Sequence, residues 1–252
     1  HMKEYNLDTI DKVFEFSTRF VPANHIVFRG VVNAGYQLTP SVGRLPALGS
    51  HSEELAREKY LLDQFKMKSA LRLQCKPQND WEWLSLAQHY GLPTRLLDWS
   101  TSPLIALYFA TSHSPEELYS GSELCDCAVY GLISHIHIDS TYSINPLDVE
   151  ETLQFYAPSI SERVVNQSGL FTVHHSPRDA FDTEKLYKFV IPGKLKAQVQ
   201  EKLALLGVSE STIYPGLDGI ARSLKTEYFR HSDRPLNPDE LPEYAKSQLN
   251  GL

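Results

Sequence analysis

The sequence predicts an α+β fold: one domain around a split or strongly bent mixed sheet, with helices on its flanks. Apolar residues recur at three-and-four spacing in several separate stretches, and short β-branched runs lie between them. The two kinds of segment do not alternate in the regular order that a parallel, doubly wound sheet needs. At 252 residues, with 42% hydrophobic and 22% charged side chains, the chain has the length and composition for one substantial core. Residues 1–24 read as an N-terminal helical segment, 25–229 as the main domain and 230–252 as a proline-broken tail.

Several function classes are disfavoured at the outset. A formal charge of -7 provides no global attraction to nucleic acid, although a local basic groove could exist. No apolar run approaches the roughly 20 residues of a bilayer span, and no signal-peptide pattern opens the chain. Three cysteines fit a reducing compartment, so the expected setting is cytoplasmic, with no membrane partner.

Taken in order, Ile10, Val13 and Phe14 give residues 7–20 an apolar helical side, and Pro22 closes it. His25 to Val32 is a β-branched strand carrying Arg29 in its middle. A cation there needs a carboxylate or a bound phosphate, so Arg29 is either half of an ion pair or a ligand hook. Gly30 beside it permits close backbone approach. Leu38 to Arg44 is a turn-rich loop that could act as a lid. Ser50 and Glu53 have capping-box spacing ahead of a long helix marked by Leu55, Leu62, Phe65, Ser69 and Leu73, whose charges read as a solvated face.

The most informative stretch is Leu84 to Ala110. A helix ends at Gly91-Leu92-Pro93, an extended run follows from Arg95 to Trp99, and Ser102-Pro103 opens the next helix as N-cap and first residue. A strand end meeting a helix N-terminus favours anions such as a pyrophosphate, and Ser100, Thr101 and Ser102 add hydroxyls. His89 is a candidate base or substrate contact, or a histidine settled against its helix C-terminus. Farther on, Cys127 to Ile138 and Lys188 to Pro192 read as strands and Thr212 to Tyr214 as a brief one. Leu195 to Leu206 and Leu217 to Tyr228 read as helices. The pairs Cys125/Cys127 and His135/His137 lack structural-zinc spacing, and no metal is expected.

Phe28-Arg29-Gly30, Leu38-Thr39-Pro40-Ser41 with Arg44, and the block Ala87 to Ser100 with Ser102-Pro103 resemble the bacterial FRG-domain family, named for Phe-Arg-Gly. Arg163, Gln167-Ser168-Gly169, Phe171-Thr172 and Tyr214 to Gly219 fit its later blocks, so the resemblance spans about residues 25–225. A weaker resemblance is to ADP-ribosyltransferases of the arginine, Ser-Thr-Ser, glutamate type, through Arg29, Ser100 to Ser102 and Gln167.

That second resemblance implies a split-sheet fold of the same kind, NAD as substrate and a macromolecular acceptor, protein or nucleic acid. It also implies a role as a bacterial toxin or phage-defence effector. Arg29, Gly30, Arg44, Arg95 and Ser100 to Ser102 would line the NAD site, with Arg29, Asp98, His89 and Gln167 serving the chemistry. Gln167 stands where a glutamate is expected; it can orient a ribose hydroxyl but cannot act as a base. Asp98 or His89 would have to take that part. Two other readings stay open: a nucleotide- or ligand-binding module that breaks no bond, and a buried polar network of Arg29, Arg95 and Asp98 that only pins the fold.

Overall fold

The structure is a computed structural model, and it describes residues 2–19, 26–73, 76–133, 137–138, 144–156 and 169–231. Eight strands form one sheet: β1 (Lys3–Asn6), β2 (Ile26–Val31), β3 (Leu96–Ser100), β4 (Cys127–Ile133), β5 (His137–Ile138), β6 (Leu153–Tyr156), β7 (Gly169–Val173) and β8 (Leu186–Ile191). Their order across the sheet is β1-β8-β4-β2-β3-β7-β6-β5. The β1–β8 and β5–β6 pairs are parallel and the others antiparallel, so the sheet is mixed.

The sheet is also nearly divided. β2 shares six register pairs with β4, and β3 shares five with β7. β2 and β3 share one, Phe28 opposite Ser100. Beyond that pair the ladder stops, and the Arg29 side chain takes over: its Nη1 donates to the Asp98 carbonyl at 2.7 Å. The thinnest joint of this one sheet is therefore the β2–β3 pair, bridged by Arg29 and Asp98.

The helices follow from local signals. They are α1 (Ile10–Arg19), α2 (His51–Ser69), α3 (Asp80–His89), α4 (Pro103–Thr111), α5 (Pro115–Tyr119), α6 (Lys196–Leu205), α7 (Glu210–Ile213) and α8 (Leu217–His231). Ser50, Asn79 and Ser102 cap α2, α3 and α4 by accepting from the backbone N–H three residues on. Gly91 ends α3 at φ 84°, in the left-handed region where a Cβ is costly.

Strand alternation sorts the apolar residues into two faces. On one face, Phe28, Val129, Phe189 and Ile191 of one sheet half pack under α1, α4 and α6. Leu96, Phe155, Phe171 and Val173 of the other half pack under α2 and α3. On the opposite face Val27, Leu97, Trp99, Tyr130 and Leu170 lie beneath Leu38 and Phe181, from two loops joined by the Phe181 N–H on the Leu38 carbonyl. At the end of β2, fully buried Lys196 donates to the Val32 carbonyl at 2.7 Å and lies 2.8 Å from His113 Nε2.

Some expectations change. Thr212 to Tyr214 is no strand: Glu210–Ile213 is a helical turn, begun by a reciprocal capping box between Ser209 and Thr212. The α2 charges are not all solvated, because Glu58 is buried. The apolar row of α8 points outward, with Leu217, Ile220, Leu224 and Tyr228 all exposed. Residues 1–24 and 25–229 share one sheet, since β1 pairs with β8. α8 runs past 229 to His231.

Candidate functional site

Where β2 and β3 part, a crevice of about 430 Å³ opens. Arg29 and Asp98 lie where the strands separate, Gln88 and His89 come from the end of α3, Phe109 from α4, and Tyr36 and Arg44 from the loop after β2. This is within the roughly 300–1,000 Å³ of small-molecule sites.

Arg29 is only partly satisfied. Its Nη1 reaches the Asp98 carbonyl, and at 3.4 Å the Asp98 Oδ2, while its buried Nε has no hydrogen-bond partner among the described residues. An orphaned guanidinium N–H is costly away from water. Asp98 does not saturate this arginine, because its carboxylate is half exposed and lies at long range.

Gln88 is a site residue that sequence reading passed over. Its Nε2 donates to Asp98 Oδ2 at 3.0 Å, and its Oε1 accepts from Thr94 Oγ1 at 2.5 Å. Thr94 thereby fixes the amide orientation, and the amide fixes the carboxylate. Asp98 Oδ1 has no hydrogen-bond partner among the described residues. The available signal was position: Gln88 sits one turn before a glycine stop and ten residues ahead of Asp98, where α3 folds back on β3.

The Arg44 loop is held down at several points. Ser41 Oγ accepts from the Thr94 N–H at 3.0 Å, and Arg178 donates to the carbonyls of Gly43 and Leu45 while pairing with Glu54. Gly43 is required here, since a Cβ would come within 1.7 Å of the Pro177 carbonyl. The result is an anchored arm that presents Arg44, whose exposed side chain has no hydrogen bond or ion pair among the described residues, to the crevice.

Other candidates take different places. Arg95 is 1% exposed and forms a bidentate pair with Glu58, Nε to Oε2 at 2.8 Å and Nη2 to Oε1 at 2.9 Å, with Nη1 on the Leu147 carbonyl. It is not among the crevice residues. The expectation that it binds a cofactor is corrected, because all three arms of its guanidinium are occupied. Ser100 lines the crevice, but its Oγ accepts from the Ser102 N–H, and Ser102 Oγ accepts from the Ile105 N–H. These hydroxyls close the start of α4 rather than leaving it open to an anion. Thr101 is exposed, and neither it nor Ser102 lines the crevice. Gly30 does line it, yet its smallness serves α4: a Cβ would lie 2.0 Å from the Ala106 carbonyl and 2.5 Å from the Ala110 nitrogen. Gln167 lies outside the described residues, as do Arg163 and Glu162.

Behind β3 runs a buried polar relay. Trp99 Nε1 donates to Thr172 Oγ1 at 2.9 Å, and Thr172 Oγ1 lies 2.8 Å from His174 Nε2. Burial, helped by the charges of Arg29 and Arg95, pushes the His174 pKa down to about 3. The ring is therefore neutral, and the relay ties β3 to β7 beside Asp98.

Among the described residues no three His, Cys, Asp or Glu side chains gather as metal ligands. Cys125 is exposed, whereas Cys127 is buried, with its thiol pushed up to about 12 by desolvation. His135 lies outside the described residues. No described helix is long and apolar enough to cross a membrane.

The described residues thus form an α+β domain with a crevice at its thinnest strand pair, lined by an arginine and a carboxylate. The family comparison is more particular: the FRG domain matches residues 24–118, and this part of the chain is an FRG domain. That range contains Arg29, Arg44, Gln88, His89 and Asp98, and it ends before β4, so the later blocks of the resemblance lie beyond it. No curated protein and no solved structure matches the chain.

Proposed function

We propose that the crevice binds NAD and that the protein transfers ADP-ribose from it to a macromolecular acceptor. The observation that carries this reading is the buried Arg29 Nε, without a hydrogen-bond partner among the described residues, in a crevice that Arg44 also lines. Two cations facing a nucleotide-sized space suit a pyrophosphate. The strand order supports the same reading. β2 with Arg29, β3 ending at Ser100, and β7, which starts two residues after Gln167, are consecutive in the sheet. The strands that carry Arg29 and Ser100 are thus neighbours of each other and of the strand that follows Gln167 in sequence, an order compatible with the arginine, Ser-Thr-Ser, glutamate resemblance.

NAD supplies a nicotinamide–ribose bond whose cleavage develops positive charge on the ribose carbon. Arg29 and Arg44 hold the pyrophosphate in place. Asp98, oriented by Gln88, turns Oδ1 to a ribose hydroxyl and to the developing charge. His89, at the crevice wall, takes the proton of the acceptor. Ser100 and Ser102 act by bracing the corner between β3 and α4. By the same resemblance the setting is a cytoplasmic bacterial toxin or phage-defence effector.

A second reading, a nucleotide-binding or sensing module, is favoured by the tethering of Asp98 to both Gln88 and Arg29 and by the neutral Gln167. Calorimetric titration of NAD, followed by a nicotinamide-release assay, separates the two. The parent is expected to bind NAD and release nicotinamide. Arg29→Ala should bind at least about tenfold more weakly, with its unfolding midpoint within about 2 °C of the parent. Asp98→Asn should retain binding and lose release. Binding without release would favour the module, and absence of binding by the parent would overturn both NAD readings.

A further inference from the structure

Helix α8 is amphipathic in the wrong sense for a helix whose only role is to cover the core. Its inner side is polar, where Thr226 is buried and donates to Glu210 at 2.9 Å and Arg230 donates to the Tyr119 hydroxyl at 3.2 Å, while half-exposed Lys225 on the flank pairs with Glu116 at 2.7 Å. Its outer side carries Leu217, Ile220, Leu224 and Tyr228, which are 85, 51, 61 and 70% exposed. These four recur at three-and-four spacing and form one continuous stripe about 16 Å long. Scattered exposed leucines are ordinary, but a contiguous stripe at helical spacing marks a contact surface.

The charges beside the stripe indicate what covers it. One flank carries Asp218, Arg222 and Lys225, and the other carries Glu227. The local balance is two cations against two anions, and the whole chain is at -7, so no anionic membrane surface is favoured. The stripe is instead complementary to itself. In an antiparallel pairing with a two-fold axis at the level of Arg222, Ile220 packs on Leu224 of the second copy. Leu217 then packs toward the Tyr228 end of that copy. Like flanks face each other in such a pair, so Asp218 comes level with Lys225 of the second copy, twice, while the two Glu227 side chains stay about 15 Å apart along the axis. Asp218 is available for this, having no hydrogen bond or ion pair to another side chain among the described residues.

We propose that α8 is the contact surface for a second copy of this chain, which pairs through an antiparallel α8–α8 seam. The seam is small, so the dimer belongs to the weak, concentration-dependent class. It rests on different residues from the crevice and stands or falls independently of NAD.

Sedimentation equilibrium across roughly 1–200 µM tests it. The parent should show a reversible monomer–dimer equilibrium, and Leu224→Glu, at an exposed position, should be monomeric with an unchanged circular dichroism spectrum. Asp218→Lys should weaken the dimer at least about fivefold, and the double variant Asp218→Lys/Lys225→Asp should recover most of it, which loss of the Glu116 pair alone would not produce. A parent that stays monomeric throughout would overturn the proposal, as would a dimer indifferent to Leu224→Glu. A monomeric parent that floats with phosphatidylcholine–phosphatidylglycerol vesicles would overturn it in favour of a lipid surface.

Discussion

Two residues at the centre of the molecule differ in what their substitution should do. Gly30 lies against backbone, so a methyl group there must move α4. Gly30→Ala should cost about 3 kcal/mol in urea unfolding or prevent folding altogether, because a helix backbone cannot yield as a side chain does. Arg95 and Glu58 form a buried, bidentate pair with side-chain exposures of 2% and 6%. Removing one partner strands the other, so Glu58→Ala should lower stability by roughly 3–5 kcal/mol. Replacing both by apolar residues of similar volume, Arg95→Met with Glu58→Leu, should recover most of that loss in the same assay.

Among elements, β3 shows how a strand is fixed from behind while its crevice side stays available. The Trp99–Thr172–His174 relay depends on a neutral imidazole. His174 titrates at about 3 in the folded chain against 6.5 for the free side chain, so between those values the unfolded state holds the extra proton. Stability is then complete above about pH 6.5 and falls as the pH drops toward 3, by about 1.4 kcal/mol per unit from this group alone. Thermal unfolding followed from pH 7 to 4 should show that decline. In His174→Gln the slope should be shallower, whatever the offset in stability at pH 7.

The same strand shows which features were legible in the sequence. Ser102 as cap, Pro103 at the helix start and Gly91 as a left-handed stop are encoded within four residues and were readable directly. Arg95 was named as a cofactor residue or part of a buried polar network, but its partner is 37 residues upstream. The clue was that Glu58 falls in the apolar row between Leu55 and Leu62, a position that solvation does not explain. β1 and β6 escaped notice because they are four-residue strands near the sheet edges, and β1, exposed at every position, offers no alternation to read. Among the crevice residues, Arg29 and His89 were singled out from residue type and place, and Asp98 and Arg44 through the resemblance. Gln88 was missed because its role depends on α3 folding back beside β3, which no local pattern encodes.

For the molecule as a whole, the pairing that joins its beginning to its end governs how the chain acquires its shape. Lys3 lies opposite Tyr187, and Asn6 opposite Val190. A growing chain therefore cannot seat β1 until Tyr187 to Val190 have been made, by which time the residues that line the crevice are present. Closing so long a loop costs entropy that only the last packing contacts repay, which makes a late, slow step the expectation. In stopped-flow refolding, substitution of β1 residues should accelerate unfolding while hardly altering the folding rate, the mark of contacts made after the barrier. An amino-terminal segment added to this strand would then act on the lifetime of the native state more than on the speed of reaching it.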